Sequence, residues 1–562
     1  MLHNALFLFF SFWNEYLWVS KSNAMKSFLL ILLLAISMAS FGQWTTDTVA
    51  NTQICSYSNG AVSKVVPASN NHYYISYYGS MFGGYNMNLQ LVDFEGNKLW
   101  AQNGITVSDN AQDSWIADYD MTVDHDNNAI VCFGDIRNGN PDIFINKIDQ
   151  NSDQLWGENG IGLSNSASAE YSPRICVLND NSVIASWAYD DVMRIQKVNA
   201  DGTLAWGQEG INIIETGKSF GWPVPLPDDD GGFYIAYFKQ TGSFPAMQRK
   251  IFVQRFFADG TPVWDEDVEL CGYTGISSWD EIYARKDHNN GVLVYWKDDR
   301  DGDIIPDVAV QRVGADGIPS YIPNGVELSG DGYNCYYPAA VSLSDGSVIA
   351  FFTKTDGSQN YRGMYAQKID FFGDVQWGNG MELFPLTLNF NYTIDVQMYN
   401  DEVFCLFSVF PEGMATDAKM FIYGLDSEGN DLWENPLPIA VDDYPKVHPF
   451  LSAPLEGQFV VSWESEDNGH VMAQNFTAWG GTGVIPVGGR NPLVNKGLFA
   501  VYNGIIHIMN PEISRLTIYD AQGRMIAEEK EPEGEIQVQH TGLFVIVAED
   551  FKGQVQVEKL IK

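Results

Sequence analysis

The chain has 562 residues, with 71 Asp or Glu against 32 Lys or Arg, a formal net charge of −39. A surface this acidic repels phosphate backbones and anionic bilayers, which argues against nucleic-acid or membrane-surface partners and favours solubility. Hydrophobic residues make up 45% of the chain and aromatics 14%, enough to fill a large core, so length alone sets no domain count.

Residues 1–42 read as a signal-peptide region. Met25 is the expected true start: Lys26 supplies the charge, Phe28 to Ala39 the apolar stretch, and Ser40-Phe41-Gly42 a small-residue exit before Gln43. Residues 1–24 read as an over-extended start, the competing reading being a second apolar anchor. No cysteine follows the apolar stretch, so a lipid anchor is not expected. No later stretch is long and apolar enough to span a bilayer. The mature chain is expected to be exported and soluble.

From there a repeat dominates. In Asn199-Ala200-Asp201-Gly202-Thr203-Leu204-Ala205-Trp206, an alternating apolar run ends at Val198, Asp-Gly makes a hairpin turn, and a strand carrying Trp206 follows. Equivalent aromatics stand at Trp100, Trp156, Trp264, Tyr321, Trp377 and Trp433, spaced 50 to 58 residues apart. Each turn is preceded by further strands, giving four per unit. The second strands are expected at Tyr73 to Tyr77, Ala129 to Phe133, Val183 to Trp187, Phe233 to Phe238, Val292 to Trp296, Val348 to Phe352, Val403 to Phe407 and Phe459 to Trp463. A steady period with strand patterns and no helical ones marks a propeller, whose units cannot bury their faces alone.

The last unit runs into Gly480-Gly481-Thr482-Gly483 without an outer strand, while Trp44 opens an orphan segment near the other end. Residues 43 to 54 are therefore expected to supply the missing strand, which removes the exposed sheet edges. The expected fold is all-β: an eight-bladed β-propeller over 43–480 closed by the N-terminal strand, a Gly/Pro-rich linker at 481–497, and a small β-sandwich of seven short strands at 498–562.

Six single cysteines, Cys55, Cys132, Cys176, Cys271, Cys335 and Cys405, read as buried apolar fillers, with Cys271 and Cys335 the one pair placed to bridge. The acidic turns Asp228-Asp229-Asp230-Gly231 and Asp299 to Asp303 lack the full calcium-loop spacing and read as turns, so no metal is expected. His125, His288, His448 and His470 carry no nucleophile motif, and no catalytic residue or cofactor is assigned. Asp280 with Glu281 is a carboxylate pair of the kind glycoside hydrolysis uses, in a chain rich in such pairs.

Long links from second to third strand, at 79–85, 239–249, 297–306, 353–363 and 408–418, are expected on the face that also carries the blade-to-blade links. One aromatic precedes each innermost strand: Tyr57, Trp115, Tyr171, Trp222, Trp279, Tyr337, Tyr392 and Tyr444. They form a candidate binding ring at the channel mouth, suited to stacking on sugars or peptide side chains, or else a plug.

Two resemblances add to this. Asn491-Pro492, Leu516 to Arg524 (with Tyr519, Asp520, Gly523 and Arg524), Thr541-Gly542-Leu543-Phe544-Val545 and Glu558-Lys559-Leu560-Ile561-Lys562 closely resemble the type A C-terminal sorting domain of type IX secretion. That resemblance implies export by the type IX machinery of a Gram-negative bacterium, removal of the domain, and release or attachment at the outer cell surface. The repeats look like those of quinoprotein-type eight-bladed propellers, although the vicinal cysteine pair of quinone dehydrogenases is absent, and so is the sialidase Asp-x-Gly-x-Thr-Trp box. The expected function is non-catalytic binding of a glycan, peptide or protein at the channel mouth. The alternatives are a secreted hydrolase of polysaccharide or peptide and a structural surface component.

Overall fold

The computed structural model describes residues 43–483 apart from the segments 57–59, 82–83, 113–117, 244–246, 277–279, 412–417 and 466–468 and residues 274, 288, 301 and 304; beyond 483 it describes chiefly the strands between 499 and 561. The leader and most of the expected linker lie outside the described residues.

The chain is all-β and propeller-like. Between Thr52 and Thr477 it forms eight four-stranded antiparallel sheets, each but the last built from four strands consecutive in sequence. The first strands are Ala61–Ala68, Asp120–Val123, Tyr171–Val177, Ser219–Pro227, Tyr283–Asp287, Asn334–Ser342, Phe390–Tyr399 and Lys446–Leu451. Each contacts the next in this order, and the last contacts the first.

The core follows the same circuit. Apolar clusters lie between neighbouring sheets, and the one between last and first holds Trp44, Ile54, Val65, Tyr73, Val460 and Val471. The eighth sheet takes its outer strand from the other end of the chain: Thr52–Cys55 pairs antiparallel with His470–Thr477, Thr52 facing Ala473 and Cys55 facing Val471. The strand thereby covers the edge of His470–Thr477 and becomes the outer strand of that sheet.

The repeat aromatics join sheet to sheet. At the turn glycines Gly96, Gly202, Gly260, Gly317, Gly373, Gly429 and Gly480, an added Cβ would come within 2.5 to 3.1 Å of Trp44, Trp156, Trp206, Trp264, Tyr321, Trp377 and Trp433 in turn. Each ring therefore lies on the turn of the following sheet. Trp100 serves the second turn, where Ser152 takes the glycine place at φ 73° and the indole N–H donates to the Gln150 carbonyl at 2.9 Å. Glycine suits these turns twice over, since Gly202 adopts φ +88° and a side chain there would meet the Trp156 ring.

The aromatics do not sit in the outer strands, as the sequence pattern suggests. Leu204 bridges back to Val198, Trp206 follows in a turn, and the outer strand begins at Ile211. Leaving the ladder frees the indole to reach the neighbouring sheet. The second strands also run further than their apolar cores: His72–Met81 and Phe233–Thr241 extend past the expected ends. The links expected at 79–85 and 239–249 shrink accordingly.

The C-terminal strands form two sheets, Phe499–Tyr502, Ile505–Ile508 and Glu535–Gln537 in one, and Met525–Lys530, Ile513–Asp520, Leu543–Asp550 and Val555–Ile561 in the other. Leu516, Ile518, Ile546 and Ala548 are buried within the second.

Replacing Trp44, 3% exposed, by Ala removes a buried ring at the junction of first and last sheets. Trp44→Ala is expected to destabilise the ring of sheets by about 3–5 kcal/mol. Urea unfolding followed by near-ultraviolet dichroism checks this; a midpoint within error of wild type would show that the junction does not hold the ring.

Candidate functional site

The eight first strands surround one cavity of about 1160 Å³, with wall residues from every sheet, from Val62 in the first to Pro449 in the eighth. The way these strands bend sets what faces the cavity. Val62, Ser172, Trp222, Tyr337 and His448 have φ between 48° and 53°, a strained region for side chains of this size. At each the pairing register slips, so each is the first residue of a bulge. In four of the five a proline follows: Pro173, Pro223, Pro338 and Pro449. A bulge leaves an N–H outside the ladder, and proline has none to lose.

This geometry revises the expected aromatic ring. Trp222, Tyr337 and Tyr392 line the cavity. Tyr171 and Tyr444 do not: Tyr171 stands one residue before the bulge and pairs with Ala188, and Tyr444 precedes the strand Lys446–Leu451, with its backbone N–H bonded to Asp442 Oδ1 at 3.0 Å. In those sheets the bulge positions are Ser172 and His448, so aligning by aromatic type alone shifts the register. Tyr57, Trp115 and Trp279 lie outside the described residues. The sequence signal overlooked is the X-Pro pair inside the first strands.

Three groups of side chains give the wall its chemistry. In the first, Asp118 accepts from both Lys64 Nζ at 3.1 Å and Arg174 Nη2 at 2.8 Å, and Arg174 lies 5.9 Å from the Trp222 ring centre. Burial raises the Asp118 carboxyl, but the two cations outweigh it and hold it below the ordinary range. Glu281 lines the same cavity. Burial pushes its carboxyl up, Arg174 opposes that in part, and Asp118 adds to it.

In the second group Arg285 of the fifth sheet bonds Asp395 of the seventh, spanning past the sixth, and Arg285 Nε donates to Tyr295 Oη at 3.0 Å. Burial raises Asp395 despite the adjacent guanidinium. Tyr283 stacks on Tyr295 at 5.4 Å and 6°. The third group is aromatic: Tyr392 packs edge-on to Tyr337 at 5.3 Å and Phe410 at 5.1 Å, with the Arg362 guanidinium 4.6 Å from its ring. His448 adds an imidazole, its Nδ1 3.1 Å from Glu464 Oε2.

The paired carboxylates read from sequence part company. Asp280 pairs with Lys297 at 2.9 Å, whereas Glu281 faces the cavity. His470 Nδ1 meets Gln53 Nε2 at 2.5 Å, away from the cavity wall, and His288 lies outside the described residues. Asp228 is a turn residue: its Oδ1 accepts from the Asp230 and Gly232 N–H groups at 3.0 and 2.6 Å, and its Oδ2 from Arg255 Nε at 2.8 Å. Among the described residues no group of three or more His, Cys, Asp or Glu is placed to hold a metal ion. All six cysteines are buried thiols outside any disulfide. Cys271 donates to Asp298 Oδ2 and Cys335 to the Tyr333 carbonyl, both at 3.5 Å, so they form no disulfide.

Of the sorting-motif residues, Tyr519 and Asp520 end the strand Ile513–Asp520, Arg524 precedes Met525–Lys530, and Lys559 lies in Val555–Ile561. Gly523 and Gly542 lie outside the described residues.

No protein-family model matches the chain, and no curated protein does. Solved structures similar to it include an ulvan lyase, a polysaccharide lyase (10% identity, 78% of this chain and 97% of that one, TM-score 0.43). Others are an α-L-arabinanase of Penicillium chrysogenum complexed with arabinobiose (13%, 54% and 92%, TM-score 0.33) and a protein of unknown function from Dyadobacter fermentans (11%, 56% and 95%, TM-score 0.35). At these TM-scores the likenesses decide neither fold nor function.

The lowered pKa of Asp118 fixes a pH dependence. A carboxyl lowered by folding adds stability above its unfolded pKa, near 3.9, and loses it as pH falls through the lower folded value. The stability gap between wild type and Asp118→Asn should be full above about pH 5 and close as pH falls below 3.9. Urea titrations across that range check it; a gap independent of pH would mean the two cations do not act on Asp118.

Proposed function

We propose that residues 43–480 form one eight-bladed β-propeller whose central channel binds a glycan. The observation that carries this reading is the composition of the cavity wall. Trp222 offers an aromatic ring next to the Lys64–Asp118–Arg174 cluster, and Tyr337, Tyr392 and Glu281 line the same cavity. Aromatic faces stack on the C–H faces of sugar rings, and charged groups fixed by their own ion pairs bond ring hydroxyls without reorganising. A wall with a purely structural role would fill the space; instead about 1160 Å³ stays open.

Residues 498–562 act, in this reading, as a type A sorting domain handed to the type IX secretion machinery. The protein is then secreted or held on the outer cell surface of a Gram-negative bacterium. The motif order through Tyr519, Asp520, Arg524 and Lys559 supports it, as does the arrangement of the C-terminal strands in two sheets. The net charge of −39 suits a protein working free of nucleic acid and bilayers.

Affinity electrophoresis against arabinan, xylan, polygalacturonate and laminarin tests the binding site. Trp222→Ala and Tyr337→Ala should each weaken retention by the polysaccharide that holds the wild type about tenfold or more. Equal retention by folded variants, or no retention of the wild type, would remove the channel as a glycan site. A chain ending at Gly483 should accumulate inside cells that carry type IX secretion, while the full chain reaches the medium or outer surface. Export of the shortened chain would refute the sorting role.

A further inference from the structure

We propose that the channel cleaves the glycan it binds, with Glu281 as the proton donor and Asp118 as the second carboxylate, both on the wall of the one cavity. This rests on the channel being a glycan site, and it goes beyond binding. Both carboxyls line the one cavity, Asp118 just ahead of the second sheet's first strand and Glu281 just ahead of the fifth's, but they meet opposite surroundings. Asp118 is bonded to two cations, Lys64 at 3.1 Å and Arg174 at 2.8 Å. Glu281 lines the same cavity and, among the described residues, makes no ion pair. Its neighbour Asp280 pairs with Lys297 at 2.9 Å and is not part of the cavity wall.

Glycoside hydrolysis needs this asymmetry: one carboxyl that keeps its proton and one that has lost it. Both acidities are set by the wall, burial raising Glu281 and the paired cations lowering Asp118. Arg174 touches both fields, and its guanidinium also faces Trp222, 5.9 Å away. A sugar ring stacked on Trp222 would therefore lie beside the charged cluster.

The step balances without any co-reactant except water. Glu281 gives its proton to the glycosidic oxygen as the bond from that oxygen to the anomeric carbon breaks. Asp118 stabilises the positive charge that develops on the sugar. A water oxygen forms the new bond to the anomeric carbon, and its proton passes to the Glu281 carboxylate, restoring the acid. Rate should fall at high pH as Glu281 loses its proton, and at low pH as Asp118 gains one.

The experiment measures new reducing ends from arabinan, xylan, polygalacturonate and laminarin, on the full-length protein, beside the retention assay. The wild type should release reducing ends from a polysaccharide that retains it. Glu281→Gln, which keeps the side chain's shape, should lower the rate at saturating polysaccharide about a hundredfold or more, and should abolish the high-pH limb of the profile. Retention without reducing ends from the wild type overturns cleavage and leaves binding standing; so does a Glu281→Gln rate within threefold of wild type. Loss of retention in all four polysaccharides overturns the binding reading instead. Asp118→Gln and Asp118→Asn, compared at a pH where both are folded, give the second arm: full activity in either would remove Asp118 from the step.

Discussion

The contact on which everything else depends is an aromatic ring laid on the turn of the following sheet. It recurs from Trp44 on Gly96 to Trp433 on Gly480. No four-stranded sheet of this kind can bury its faces alone, so each needs a partner on both sides. The ring-on-turn contact sets the spacing of those partners, because the turn carries glycine, or in the second sheet the small Ser152, where the ring approaches. The relay is directional: each sheet supplies a ring to the next and a turn to the one before. A linear stack would leave one ring and one turn without a mate. The N-terminal segment resolves this by bringing Trp44 and the strand Thr52–Cys55 to the last sheet, and the apolar cluster there joins residues from both ends of the array.

Closure has a consequence at the centre. Five of the eight first strands carry a bulge whose first residue is held at positive φ. The strain is paid for by the packing of the whole sheet behind it, and it turns side chains that would lie along the strand toward the cavity. Trp222, Tyr337 and His448 owe their places on the wall to this bend. Proline after the bulge residue fixes it, since the unpaired position needs no donor.

Much of this was legible in the sequence, for reasons that name the parts that were not. The spacing of Trp100 through Trp433, the second strands and the orphan segment around Trp44 all follow from patterns that a repeat imposes on every copy. The C-terminal strands were legible because each is a short alternating run between turn residues. The cavity wall was less so. Tyr171 and Tyr444 are aromatic and near the right place, yet a one-residue slip at the bulge or a start outside the strand takes them off the wall. Nor does a linear pattern tell Asp280 from Glu281; one meets Lys297 and the other the cavity, a difference made by residues far apart in sequence.

The charge distribution is the last element of the picture. Acids exceed bases by more than two to one along the chain, yet the cavity wall holds Lys64, Arg174, Arg285 and Lys446 with Asp118, Glu281 and Asp395. Cations thus concentrate where the surrounding protein excludes water. In such a place a carboxyl's acidity depends on whether a cation reaches it. Asp118, shared by two, is held low; Asp395, with Arg285 beside it, is still raised because burial outweighs one partner. At Asp395 one cation does not offset the loss of water; at Asp118 two cations, with the Tyr119 N–H bonded to Oδ1 at 2.9 Å, do. A wall whose four cations are shared unevenly among its three carboxyls therefore keeps carboxyls of unlike acidity in one cavity, and that property comes from the circuit of sheets, not from any one strand.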